Sequence, residues 1–204
     1  MPSLVELWRA LHGAWRLAFL DTRSLADFDG TRAGGLRSFW AMALVLPLNA
    51  VILAVKQVMP GDDAMPPNAL IDLLGPLVAW VALIAIMYGL VAWYGRIDRF
   101  WLFVSSYNWT QVPLAVVVLL SVALAAAAGT IVDPGADADS VPMLPWSVAH
   151  IALGIAFTLQ LGTLIYEWYV AWVALDSGVP LAIIVVLLDI VMGVGLNHLS
   201  TALA

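Results

Sequence analysis

Two carboxylic acids sit where a carboxylate is costly to keep. Glu167 lies within one long apolar stretch and Asp189 within the next, and the stretches meet at Asp176-Ser177-Gly178-Val179-Pro180. Folded about that turn as antiparallel helices, each acid is nine residues from its own end of the turn. At about 1.5 Å of rise per residue that is about 13 Å, deep in a hydrocarbon layer about 30 Å thick. Ionisable groups at such depth face protein or a water-filled cavity, where they relay protons, hold ions or tie helices together.

Other polar groups share that level. Gln160 and Thr163 precede Glu167 at spacings that place all three on one helical face. Gly193 and Asn197 follow Asp189 at four-residue steps, and a glycine there is expected to let the two backbones approach closely. An earlier stretch supplies Ser105, Asn108, Thr110 and Gln111 before Pro113, with Asn108 about 12 Å from the start of its helix. Pro113 has no N–H for the carbonyl of Trp109, which then needs another partner. Asn49, beside Pro47, belongs somewhat deeper.

Two readings of this layer follow. In one, the carboxyls and amides satisfy each other and hold the bundle in register, each bond contributing about 0.6 kcal/mol. In the other, Glu167 and Asp189, with Asn108, Gln111, Gln160 and Asn49, form a site or path for a proton or small cation. No lysine or arginine falls at matching depth to neutralise the acids. Toward the far face only Asn197, His198 and His150 could continue a path.

The elements that must position these groups follow from composition. The chain has 204 residues, 63% of them hydrophobic and 11% charged, with a mean hydropathy of +0.98. Soluble domains are about 45–50% apolar and about 25% charged. This is the composition of an integral membrane protein. Five stretches are long enough to span, near residues 39–59, 69–94, 100–128, 147–175 and 180–199. The expected fold is all-α: residues 37–204 form a five-helix transmembrane bundle, and residues 1–36 a cytoplasmic amphipathic helix with its linker.

Orientation follows from the arginines. Arg9, Arg16, Arg23, Arg32 and Arg37 precede the first span and Arg96 and Arg99 lie between the second and third, leaving Lys56 at the opposite side. The positive-inside rule places the N-terminus in the cytoplasm and the C-terminus outside. No secretory signal peptide is visible, so the N-terminus is expected to stay where it is made. Trp40, Trp93, Tyr94, Trp101, Trp168, Tyr169 and Trp172 gather toward the cytoplasmic ends of the spans, as interfacial anchors do.

Before the first span, Ser3 and Glu6 have the spacing of a capping box. Leu4, Leu7, Trp8, Leu11, Trp15, Ala18 and Phe19 then repeat at helical spacing, with Arg9, His12 and Arg16 off that stripe. Such a helix suits the lipid headgroup boundary, with Trp8, Arg9, Trp15 and Arg16 as its membrane-surface residues. The simpler alternative is that it packs under the ends of the spans. Gly34-Gly35 reads as a flexible break ahead of the first span.

Several classes find no support. There are no cysteines, hence no disulfide or thiolate chemistry, and no basic patch with interleaved aromatics for nucleic acid. The acidic loop from Asp133 to Ser140 lacks the glycine and closing glutamate of a calcium loop, and His12, His150 and His198 are scattered, so no metal site is expected. No phosphate-binding loop, dinucleotide fingerprint or nucleophile elbow occurs, and Ser105 and Ser106 have no base in the pattern. Neither enzymatic activity nor a cofactor is expected.

The run Arg99-Phe100-Trp101-Leu102-Phe103-Val104-Ser105-Ser106-Tyr107-Asn108-Trp109-Thr110-Gln111-Val112-Pro113 resembles the opening of the third span in the Yip-domain family of five-span membrane proteins. There a serine-tyrosine pair is followed a few residues later by proline. The layout of spans is also similar, over residues 39–199, although here polar residues fill the gap between tyrosine and proline. The resemblance implies architecture and maps no catalytic residue. The alanine-rich spans and the preference for arginine suggest a bacterial inner-membrane protein with a periplasmic C-terminus. The expected role is non-enzymatic: membrane organisation or partner binding, as a homo-oligomer or a small subunit beside another membrane protein. Gly154, Gly162, Gly193 and Gly195 offer small faces for such contacts, and a proton- or ion-coupled transporter or channel is the alternative.

Overall fold

Long apolar sequences with few breakers form helices wherever backbone groups cannot reach water. The computed structural model describes residues 1–57, 69–131 and 146–202, and among these it contains helices, short 3-10 turns and no strand. The fold is all-α. Helix α1 is Leu4–Ala18 and α2 Arg32–Ser38; α3 (Ala41–Gln57), α4 (Ala69–Trp93), α5 (Phe100–Ile131), α6 (Trp146–Leu175) and α7 (Val179–Ala202) make up the bundle. Five segments are long and apolar enough to cross a membrane. The first of them runs from Arg32, because α2 leads almost directly into α3.

The long helices form a ring. α5 packs most extensively on α6 and next on α3; α7 lies between α6 and α4, and α4 closes the ring against α3. Trp80, Leu83 and Met87 of α4, Phe103, Val104 and Tyr107 of α5, Val170 of α6 and Leu181 and Val185 of α7 fill its interior. Pro47, Pro76 and Pro113 are carried inside α3, α4 and α5 without ending them.

Residues 1–38 are packed onto this ring. Ala10, Gly13, Ala14 and Leu17 are the buried face of α1, and the Tyr166 hydroxyl donates to the Ala14 carbonyl at 2.6 Å. Tyr169 donates to the carbonyl of Leu20, a residue with φ of 62° that ends the α1 turn. Ser3 caps α1 by accepting from the Glu6 N–H at 3.1 Å. The Glu6 carboxylate does not close the capping box; it accepts from Arg37 Nε at 2.9 Å, tying α1 to α2.

Gly34 and Gly35, expected as a flexible break, are instead inside α2 and buried. The reason is close approach: a Cβ on Gly34 would overlap Asp29, and one on Gly35 would lie 2.6 Å from the Trp101 ring. The division expected after residue 36 falls within this same helix.

Two acids outside the spans hold the N-terminal segment together. The hydrogen bond from Arg16 at 2.6 Å keeps the Asp21 carboxyl below the usual carboxylate range, aided by the Arg23 N–H. Asp29 is lowered first by the Thr31 N–H, then by the Thr31 hydroxyl and the Arg37 charge. A carboxyl with a depressed folded-state pKa stabilises the fold fully above its unfolded value, about 3.9, and that stability fades as pH falls below it. Amide protection at Arg23 and Thr31, whose N–H groups bond these carboxylates, should therefore weaken in hydrogen exchange below about pH 4 and stay level above it. Gly35→Ala should lower stability by about 1–3 kcal/mol through overpacking against Trp101, read as a lower unfolding midpoint in lipid nanodiscs.

Candidate functional site

The site begins at the hairpin of α6 and α7. The chain reverses through Asp176 (φ 47°) and Gly178 (φ 83°), left-handed conformations that suit glycine and are tolerated by aspartate. Arg96, from the link between α4 and α5, grips this turn: its Nη2 donates to Asp176 at 2.6 Å and its Nε to the Leu175 carbonyl at 3.1 Å. The C-terminal end of α6 is thereby tied to a third element.

With the turn fixed, Glu167 points into the bundle and is only 7% exposed. Asp189 is half-buried, on the face of α7 that also carries Leu181, Val185 and Met192. The two carboxyls are close enough for their charges to interact, and Gln111 of α5 stands beside Glu167 and Tyr107. Glu167 Oε2 and Gln111 Nε2 are both buried and meet no partner at full hydrogen-bond geometry, although the Gln111 amide acts on the Glu167 carboxyl as a donor. Tyr107, fully enclosed one helical turn before Gln111, completes the group.

Asn108 belongs to a different construction. Its Oδ1 accepts from the Trp80 indole N–H at 2.8 Å, and its Nδ2 donates to Ser38 Oγ at 2.7 Å. Ser38 in turn donates to the Gly35 carbonyl at 2.7 Å. This chain crosses the ring from α4 through α5 to α2. Asn108 follows Tyr107 by one residue, a rotation of about 100°, so the polar run of α5 serves two sides. Ser106 and Thr110 return their hydroxyl hydrogens to carbonyls of α5 itself.

The remaining candidates lie apart. Gln160 is exposed and accepts from Ser121 Oγ at 3.3 Å, joining α6 to α5 at another level. Thr163 is buried and donates to the Gln160 carbonyl. Asn49 is half-buried on α3. Gly193 does not bring α7 against α6: it is exposed, with nothing within 4 Å of a Cβ position. The close approach of α7 is to α4 instead, where a Cβ added at Gly75 would lie 3.3 Å from the Leu196 side chain. Gly154, Gly162 and Gly195 likewise border open space. The acidic loop 133–140 lies outside the described residues, as does the side chain of Asn197. Among the described residues no cluster of three or more His, Asp or Glu could hold a metal.

The residues expected at a membrane surface divide by face. Arg16 pairs with Asp21 and Asp27, and Arg9 with Asp27, so both arginines bind the 3-10 turn Thr22–Asp27. Trp8 and Trp15 are exposed, together with Leu4 and Phe19. At about 100° per residue these four apolar side chains fall within about 60° of one another.

No protein-family model, curated protein or solved structure matches this chain. Trp80, Ser38 and Tyr107 were not among the residues expected to matter. The signal available was that an indole N–H or phenol within a span must find an acceptor. Asn108→Ala should destabilise the protein by about 1–3 kcal/mol by stranding the Trp80 N–H. The loss should shrink in a Trp80→Phe background, which a double-mutant cycle of unfolding midpoints measures.

Proposed function

We propose that this chain is a non-enzymatic, multi-pass protein that organises the membrane face it caps and binds a second membrane helix, similar in layout to the Yip-domain family. In this reading it belongs to a bacterial inner membrane, with the N-terminus cytoplasmic and the C-terminus periplasmic. The arginines of α1, α2 and the link from α4 to α5 support that orientation.

The observation that carries the proposal is the division of α1 into sectors that match successive surroundings. Ala10, Ala14 and Leu17 meet the bundle. Leu7 and Leu11 are partly buried against the core. Leu4, Trp8, Trp15 and Phe19 are exposed and apolar, and His12, Arg16 and Arg9 form the polar sector. Around the helix the order is protein, apolar interior, open apolar surface and polar surface, which is the order of a helix lying at a headgroup boundary. The tyrosine bonds to Ala14 and Leu20 clamp it to α6. Trp8 and Trp15 are suited to that boundary because an indole has an apolar body and a polar edge.

The reading of partner binding rests on α6. Gly154, Thr158 and Gly162 recur at four-residue spacing and are exposed, a pattern that lets a neighbouring membrane helix approach closely. The chemistry of an intramembrane hydrolase has little support, since Ser106 donates to carbonyls of its own helix.

A photo-crosslinking residue placed at Trp15 or at Thr158 in native membranes tests both halves. Lipid adducts are expected at position 15, and protein adducts, with a second copy or another subunit, at position 158. Solvent-quenched label at 15, or lipid adducts alone at 158, would refute the corresponding half.

A further inference from the structure

Gln160 stands at the middle of α6, fourteen residues after Trp146 and fifteen before Leu175. At about 1.5 Å per residue it is about 21 Å from either end of the helix, near the centre of a slab about 30 Å thick. Yet the residue is exposed on the outside of the bundle. Its Oε1 accepts from Ser121 Oγ at 3.3 Å, and its Nε2 donates to none of the described residues. Acyl chains offer that amide no acceptor, and water does not reach such a depth.

The residues on the same side of α6 form a seam. Leu153, Phe157, Gln160 and Leu164 follow one another at steps of four, three and four, the spacing of helices packed in a left-handed pair. Glu167, Ala171 and Ala174 continue the series and are buried within the chain. Leu164 is half-buried, in a groove it shares with Ile183, Val186 and Leu187 of α7. Leu153, Phe157 and Gln160 are exposed. One stripe is therefore packed against its own chain at one end and bare at the other. The course of α7 leaves it bare: a Cβ at Gly193 would have nothing within 4 Å, and Leu196 is the neighbour of Gly75 on α4.

We infer that a second copy of this chain covers the bare part of the seam, with the two Gln160 carboxamides hydrogen-bonded to each other. The amide decides the occupant. A carboxamide is self-complementary, since it offers both an acceptor oxygen and N–H donors. Two copies inserted in one direction, and related by a two-fold axis along the membrane normal, have parallel α6 helices with each residue level with its counterpart. Gln160 then faces Gln160 of the second copy. Its oxygen has a second lone pair beyond the one that Ser121 uses, free to accept the other copy's N–H. Leu153 and Phe157 supply the apolar contact beside it, and a lone polar residue in such a seam fixes the register. Thr158 lies two positions, about 200°, around the helix from Gln160, so this contact and the one proposed at the small-residue face can fail separately.

The test uses the full chain, which has no native cysteine, in lipid vesicles at low protein-to-lipid ratio. Phe157→Cys should give a disulfide-linked dimer on mild oxidation. Ile155→Cys, also exposed but about 200° away on α6, should not. In a chain labelled at its N-terminus and counted by single-molecule photobleaching, Gln160→Leu should raise the dimer dissociation constant about tenfold, and Gln160→Asn by less. The crosslink is read with Gln160 intact, so it decides the matter even if Gln160→Leu does not fold. Equal crosslinking at both positions, monomers at every protein-to-lipid ratio, or a dimer indifferent to Gln160→Leu would overturn the pairing. So would a Phe157→Cys adduct in native membranes with a different protein and none with a second copy.

Discussion

Inside a bilayer a polar group has no solvent to fall back on, so every donor and acceptor placed there must be met by another part of the chain. That constraint explains why α5 is the hub. It carries the densest polar run of any span and touches α1, α2, α3 and α6 as well as the interior. Asn108 satisfies Trp80 and Ser38 together, so the first, second and third spans are joined at one point. A ring of five helices held only by apolar contact could slide or rotate, since lipid tails compete equally for those surfaces. Directional bonds of modest strength remove that freedom.

The N-terminal segment obeys the same rule where it meets the bundle. Its carbonyls at Ala14 and Leu20 receive the hydroxyls of Tyr166 and Tyr169, which would otherwise be poorly placed in the upper part of α6. Its arginines are turned toward its own acids: Arg16 to Asp21 and Asp27, Arg37 to Glu6 and Asp29. The segment is thus self-neutralising on one side and apolar on another. Exposed ion pairs are individually weak, but a cluster sharing acids constrains the path of the backbone more than any single pair does.

Much of this was legible in the sequence because hydropathy is local. The five spans and the capping serine at Ser3 needed only counting along the chain. What was hidden depended on neighbours. The two glycines before α3 looked like a hinge, and only the positions of Asp29 and Trp101 show that they mark tight packing. Asn108 and Gln111 looked like one layer, whereas the order of helices around the ring sends them to different partners. Periodicity also found the apolar side of α1 but could not split it between bundle and open surface, because both favour the same residue types. Gly193 was misread for the same reason: a small residue on a helix face does not reveal what stands opposite.

The grip of Arg96 on the α6–α7 turn has a consequence for how this chain can vary. A helix is a screw, so adding one residue between Glu167 and Leu175 would turn the acid by about 100° and shift it by about 1.5 Å. The turn cannot absorb such an insertion by sliding, because Asp176 and the Leu175 carbonyl are both anchored to a neighbouring link. Sequence length between Glu167 and the turn should therefore be as tightly restricted as residue identity, unlike most surface connections, where insertions are cheap.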